Sequence, residues 1–164
     1  MISLLKDIEK LLPLWLVDKS GWNSVYVDYH KPYVARLWKQ YGEYRFYLHK
    51  IFPCLKEESL FHPHPWSSAI KIVKGGYEMG VGYSESLSIA PDITTTFALS
   101  DNCYYEMLSD KEWHYVRPVN EPSYSIMVTG KPFVENQKPS NPELRKLNDQ
   151  EIEDLLSMFK GFYS

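Results

Sequence analysis

Two histidines flank a proline in the run Phe61-His62-Pro63-His64-Pro65-Trp66. Imidazole nitrogens are donors suited to Fe, Zn, Ni or Cu rather than Mg or Ca. Each of these histidines also precedes a proline, which pushes it out of the helical region into an extended conformation. Extended residues two apart point their side chains the same way, so both imidazoles are expected to face one side and form half of a metal site. The third ligand expected is His114, which follows Trp113 and opens a strand continuing as Tyr115-Val116-Arg117. Three neutral nitrogen ligands on one face of a metal leave open positions for a bidentate substrate and O₂ or a water. The competing reading makes His-Pro-His-Pro a stiff surface loop, and His114 by itself a packed structural histidine.

Other polar residues can line such a site. Arg36 is a candidate for holding an anionic substrate, against the commoner reading of a surface or ion-paired arginine. Tyr47 and His49 share one face of a strand and are expected at the pocket, with His49 able to orient a ligand or substrate. Glu78 is a pocket candidate that could equally face solvent. Trp66 is expected to roof the site by packing, and His30 to be structural.

The elements that must position these residues are mostly strands. Ser3 is expected to cap a short helix carrying Leu4, Leu5, Ile8, Leu11 and Leu12, ended by Pro13. Residues 25–38 read as extended. Tyr44–Phe52 is the clearest strand, with Arg45, Tyr47, His49 and Ile51 on one face. Residues 54–60 form a polar loop. Strands follow at 68–73, 77–83, 93–99, 104–108, 113–118 and 124–129, with Gly75-Gly76 as a turn. Many short strands between Gly and Pro residues mean a sandwich or barrel. Residues 135–147 read as a linker, and Asn148 with Glu151 as a capping box opening a helix at about 148–160.

Composition narrows the function classes. A chain of 164 residues with 44% hydrophobic and 24% charged residues is expected to form one globular domain. Tyr and Trp, at 13 and 5 residues, suit barrel walls and pocket linings. A net charge of -3 argues against a nucleic-acid partner. Cys54 and Cys103 make neither a disulfide framework nor a thiolate metal site. No export signal or apolar run long enough to span a bilayer is visible, so the cytoplasm is the expected compartment.

The order of these features resembles the cupin superfamily: an extended segment, HxH, a strand, a Gly turn, hairpins, then a lone His opening a late strand. The resemblance implies a mainly β double-stranded β-helix (jelly-roll) barrel over about 25–134, within a single domain spanning 1–164 and with short terminal helices. The usual first motif places a Glu three or four residues after HxH; here that position falls at Ser68 or Ala69, so the carboxylate ligand is missing. Lys31-Pro-Tyr-Val-Ala-Arg36, Tyr47-Leu-His49, His62-Pro-His64-Pro-Trp66, Gly75-Gly-Tyr77-Glu78 and His114 are similar to a group of small bacterial and phage cupins with no assigned reaction. Pro63 stands where that group has Asp, and Tyr115 where it has Arg.

Three histidines without a carboxylate is also the ligand set of the thiol dioxygenases, which are cupins. Arg36 lies on a segment comparable to the one carrying their carboxylate-binding Arg, but their Ser-His-Tyr trio is unmatched: Ser125, Met127 and Thr129 stand there. The leading expectation is therefore a metal-binding cupin with Fe, or alternatively Zn, Ni or Mn, acting in a dioxygenase-like manner on a small anionic metabolite. The alternatives are a non-catalytic small-molecule-binding cupin and a metal-free enzyme similar to sugar-nucleotide epimerases. The resemblance also implies a homodimer.

Overall fold

The computed structural model describes residues 1–134 and 143–164. Among these residues ten strands form two antiparallel sheets. The larger holds β1 (Asn23–Val27), β2 (Val34–Tyr41), β3 (Tyr44–Ile51), β10 (Ser123–Pro132), β5 (Trp66–Lys74) and β8 (Tyr104–Met107), in that spatial order. The smaller holds β4 (His62–Pro63), β9 (Glu112–Arg117), β6 (Gly76–Tyr83) and β7 (Thr95–Ser100).

Both faces of the larger sheet are buried. One face carries Ala35, Leu37, Phe46, Leu48, Ala69, Ile126 and Val128 into a core shared with the terminal helices. The other faces the smaller sheet, where Val34, Ile51 and Ile72 meet Tyr77 and Met79. This explains why Tyr44–Ile51 is rich in large side chains on both of its faces: Phe46 and Leu48 point to the helices, Tyr47 and His49 to the space between the sheets.

The N-terminus differs from expectation. Two helices form, α1 (Ile2–Glu9) and α2 (Leu12–Val17), and no side-chain cap opens the first. Pro13 lies in the first turn of α2 rather than ending a helix, where its missing N–H leaves no hydrogen bond unmade. The expected extended run 25–38 divides into β1 and β2. The first part of the expected linker, residues 135–142, lies outside the described residues. The capping box is present: Glu151 N donates to Asn148 Oδ1 at 2.9 Å, and Asn148 N donates to Glu151 Oε2 at 2.8 Å. It opens α3 (Asp149–Phe162), whose Leu155, Leu156 and Phe159 pack into the helix-side core.

Gly75 and Gly80 are required by geometry. Gly75, at φ +85°, makes the tight β5–β6 turn, a backbone region that L side chains rarely adopt. A Cβ on Gly80 would fall 2.1 Å from Cε1 of Tyr115, so the bare backbone there lets the Tyr115 ring lie flat across β6. No described helix is long and apolar enough to cross a membrane.

Candidate metal centre

Strand pairing brings the three histidines together. His62 on β4 stands directly opposite His114 on β9. Opposed residues in an antiparallel pair share a face, and His64 turns in beside them. Ring centroids lie 4.7 Å apart for His62 and His64, 4.9 Å for His64 and His114, and 5.3 Å for His62 and His114. One ligand-capable atom from each lies within 4.8 Å of the others. His64 Nε2 and His114 Nε2 are 2.8 Å apart, so one donates to the other. Two nitrogens at right angles on a metal, each at about 2.0–2.1 Å, would stand at about this spacing.

The electrostatics also suit ligation. Burial holds His62, His64 and His114 below the ordinary imidazole range, His62 at about 4. All three are therefore neutral at neutral pH, the form that binds metal. His62 Nδ1 lies 3.0 Å from the Leu60 carbonyl. Donation there fixes the tautomer and leaves Nε2 with its lone pair free, the usual outer-shell support for a ligating histidine. His114 Nδ1 is buried with no partner among the described residues. Among the described residues the donor set is thus three imidazoles, and no carboxylate joins it. Of the two residues at the missing Glu position, Ser68 faces inward opposite Thr129 and Met107, while Ala69 packs on the helix side. The residues present fit an N-ligated divalent transition metal.

The flanking residues divide. Arg36, His49 and Tyr47 lie on the inner face of β2 and β3. The Arg36 guanidinium stands 5.3 Å from the Tyr47 ring centroid, and the Tyr47 and His49 rings are 5.6 Å apart. The Arg36 charge is felt at His30, His49, His62 and His64, lowering each. Trp66 lies 6.1 Å from His64. Among further neighbours, His30 stacks at 5.9 Å from His62 and Tyr105 at 6.2 Å from His114.

Glu78 is not brought to this group. Tyr77 and Met79 point into the space between the sheets, so Glu78 between them points outward. There it accepts a 2.7 Å hydrogen bond from the Tyr115 hydroxyl and pairs with Arg117 Nε at 3.3 Å. Sequence alternation placed Glu78 opposite Tyr77 and Met79, but not which side faces in. Ser125, not among the expected pocket residues, faces inward opposite His49, fully buried, with no partner for its hydroxyl among the described residues. A lone serine in a strand carries no signal without the register. A cavity of about 600 Å³ is lined by Met79, Phe97, Tyr105, Met107, Glu112 and Trp113 among others.

No protein-family profile matches the chain, and no curated protein matches it. Solved structures match its fold. Hydroxypropylphosphonic acid epoxidase from S. wedmorenis superposes with a TM-score of 0.50 at 9% identity, over 65% of this chain and 55% of that one. HppE in its iron(II) form gives a TM-score of 0.53 at 8% identity, over 68% and 58%. KdgF from Halomonas sp. gives 0.47 at 10% identity, over 65% and 87%. This chain therefore spans a little over half the length of the epoxidase structures. At such identities the first two superpositions show a shared fold alone. The fold is cupin-type.

Proposed function

We propose that this chain is a metal-dependent cupin enzyme. His62, His64 and His114 hold one divalent transition metal, iron(II) ahead of Zn, Ni or Mn, in a dioxygenase-like oxidation of a small anionic metabolite. The observation that carries the reading is the convergence of three neutral imidazoles with no carboxylate among them. Iron is placed first because HppE, of the same fold, has been solved with iron(II). When bound, the metal supplies Lewis acidity and, if iron, redox chemistry toward O₂.

The chain's own residues do the rest. Leu60 O orients His62. Arg36 attracts the anion, Tyr47 packs against its guanidinium, and His49 stands between them and β10. The apolar side chains between the sheets exclude bulk water. Glu78 takes no part, since it lies on the outer face. We extend the proposal to a cytoplasmic homodimer, which light scattering on the purified protein tests.

Elemental analysis of protein purified without chelator, then reconstituted with Fe, Zn, Ni or Mn, tests the metal reading. About one equivalent is expected; a content that stays far below one after reconstitution overturns it. One observation favours a second reading, a non-catalytic binder: Ser68 and Ala69 stand where cupins usually have their carboxylate ligand. Thermal stabilisation by small metabolites and by none of the four metals would support that reading instead.

A further inference from the structure

The inner face of the larger sheet carries a second polar group beside the histidines. Arg36 on β2 stands opposite His49 on β3, and His49 stands opposite Ser125 on β10. Opposed residues share a face, so the three side chains form one row across three neighbouring strands, at a strand spacing of about 4.8 Å. Val25 and Ile72 close the row at its ends. Arg36 Nε, His49 Nε2 and Ser125 Oγ are all buried without a hydrogen-bond partner among the described residues. His49 is 5% exposed and Ser125 0%. No described carboxylate acts on Arg36, whose titratable neighbours are Tyr47 and Tyr29. Buried polar groups in native proteins are nearly always paired, and three unpaired ones in a single row point to a ligand.

We propose that this row seats a small 2-hydroxy or 2-oxo carboxylic acid, its carboxylate on Arg36 and its neighbouring oxygen on His49 and Ser125. This deepens the substrate class of the proposed enzyme and rests on that reading for its place in a reaction. The chemistry selects the class. A guanidinium presents two parallel N–H groups to a planar carboxylate, and the Tyr47 ring packs against that guanidinium. Arg36 is the one cation of the row, which matches a monoanion better than a dianionic phosphonate. Imidazole and hydroxyl can each donate or accept, so they accommodate a hydroxyl or a carbonyl oxygen. Ser125 is then a specificity-determining residue.

Ligand-observed NMR titration of glycolate into chelator-treated protein and into zinc-loaded protein tests this, with methylphosphonate and the neutral glycolamide as comparison probes. Saturable glycolate binding is expected in both forms, with the two comparison probes weaker. Arg36→Gln should weaken glycolate by roughly tenfold or more, the usual loss for a hydrogen bond to a charged group, and Ser125→Ala by roughly threefold to tenfold, the loss for a neutral one. Arg36→Lys, which keeps the charge but loses the fork, serves if Arg36→Gln does not fold. Ser125→Ala should leave the thermal midpoint unchanged or raise it, because it removes an unpartnered buried hydroxyl; a serine with a structural role would lower it.

Absence of saturable glycolate binding in both forms, binding that survives Arg36→Gln, or tighter binding of methylphosphonate would overturn the inference. Arg36-dependent binding in a protein that never loads metal leaves it standing and rejects the metal reading. Metal loading without Arg36-dependent glycolate binding does the reverse.

Discussion

His49, His62, His64 and His114 are all held below the ordinary imidazole range by burial, His62 to about 4. In the unfolded chain they titrate near 6.5. Between these values the unfolded chain binds protons that the folded chain does not. Stability of the metal-free protein should therefore fall as pH drops below about 6.5, continuing to about 4 for His62 with a slope on the order of 1 kcal/mol per pH unit from that residue. Melts in chelator at pH 7, 6 and 5 check this, and His49→Gln should flatten the slope. A midpoint that holds constant through that window contradicts the buried, neutral state. The histidines were legible in the sequence because the prolines after His62 and His64 constrain the backbone at two adjacent same-face positions. The side Glu78 faces stayed open because alternation says which residues share a face and not which face is inside. Ser125 was read only as part of an unmatched trio, because its setting is fixed by the residue across the strand, His49, 76 positions earlier.

The strands that carry the site depend on close backbone contacts. Gly80→Ala puts a methyl into the Tyr115 ring, which is 2% exposed and tied by its hydroxyl to Glu78. Overpacking of this kind costs about 1–3 kcal/mol, which chemical denaturation would read as a lower midpoint with an unchanged slope. An unchanged midpoint would mean the ring is free to move. On the helix side, Phe159→Ala empties a fully buried position and should cost about 3–5 kcal/mol. Strand existence was readable from aromatic and β-branched runs, and the α3 cap from Asn148 and Glu151. Helix boundaries near Pro13 were not, because proline both ends helices and opens them, and only the chain's path distinguishes the two.

The molecule as a whole uses two sheets for two purposes. The outer face of the larger sheet is sealed by α1, α2 and α3 through one apolar core. The inner faces of both sheets share a second cluster that reaches from Val27 to Met79. The three histidines come from the smaller sheet and its entry loop, and Arg36, His49 and Ser125 from the larger. This division was only partly legible: the strand count and turn chemistry implied a sandwich or barrel, but which sheet each strand joins is decided by long-range pairing. X-ray absorption on the protein loaded with zinc or iron(II) tests the central claim most directly. Three imidazole nitrogens at about 2.0–2.2 Å are predicted, falling to two in each of His62→Ala, His64→Ala and His114→Ala that still retains metal. A metal shell without imidazole scattering, or one unchanged by all three substitutions, would contradict the account.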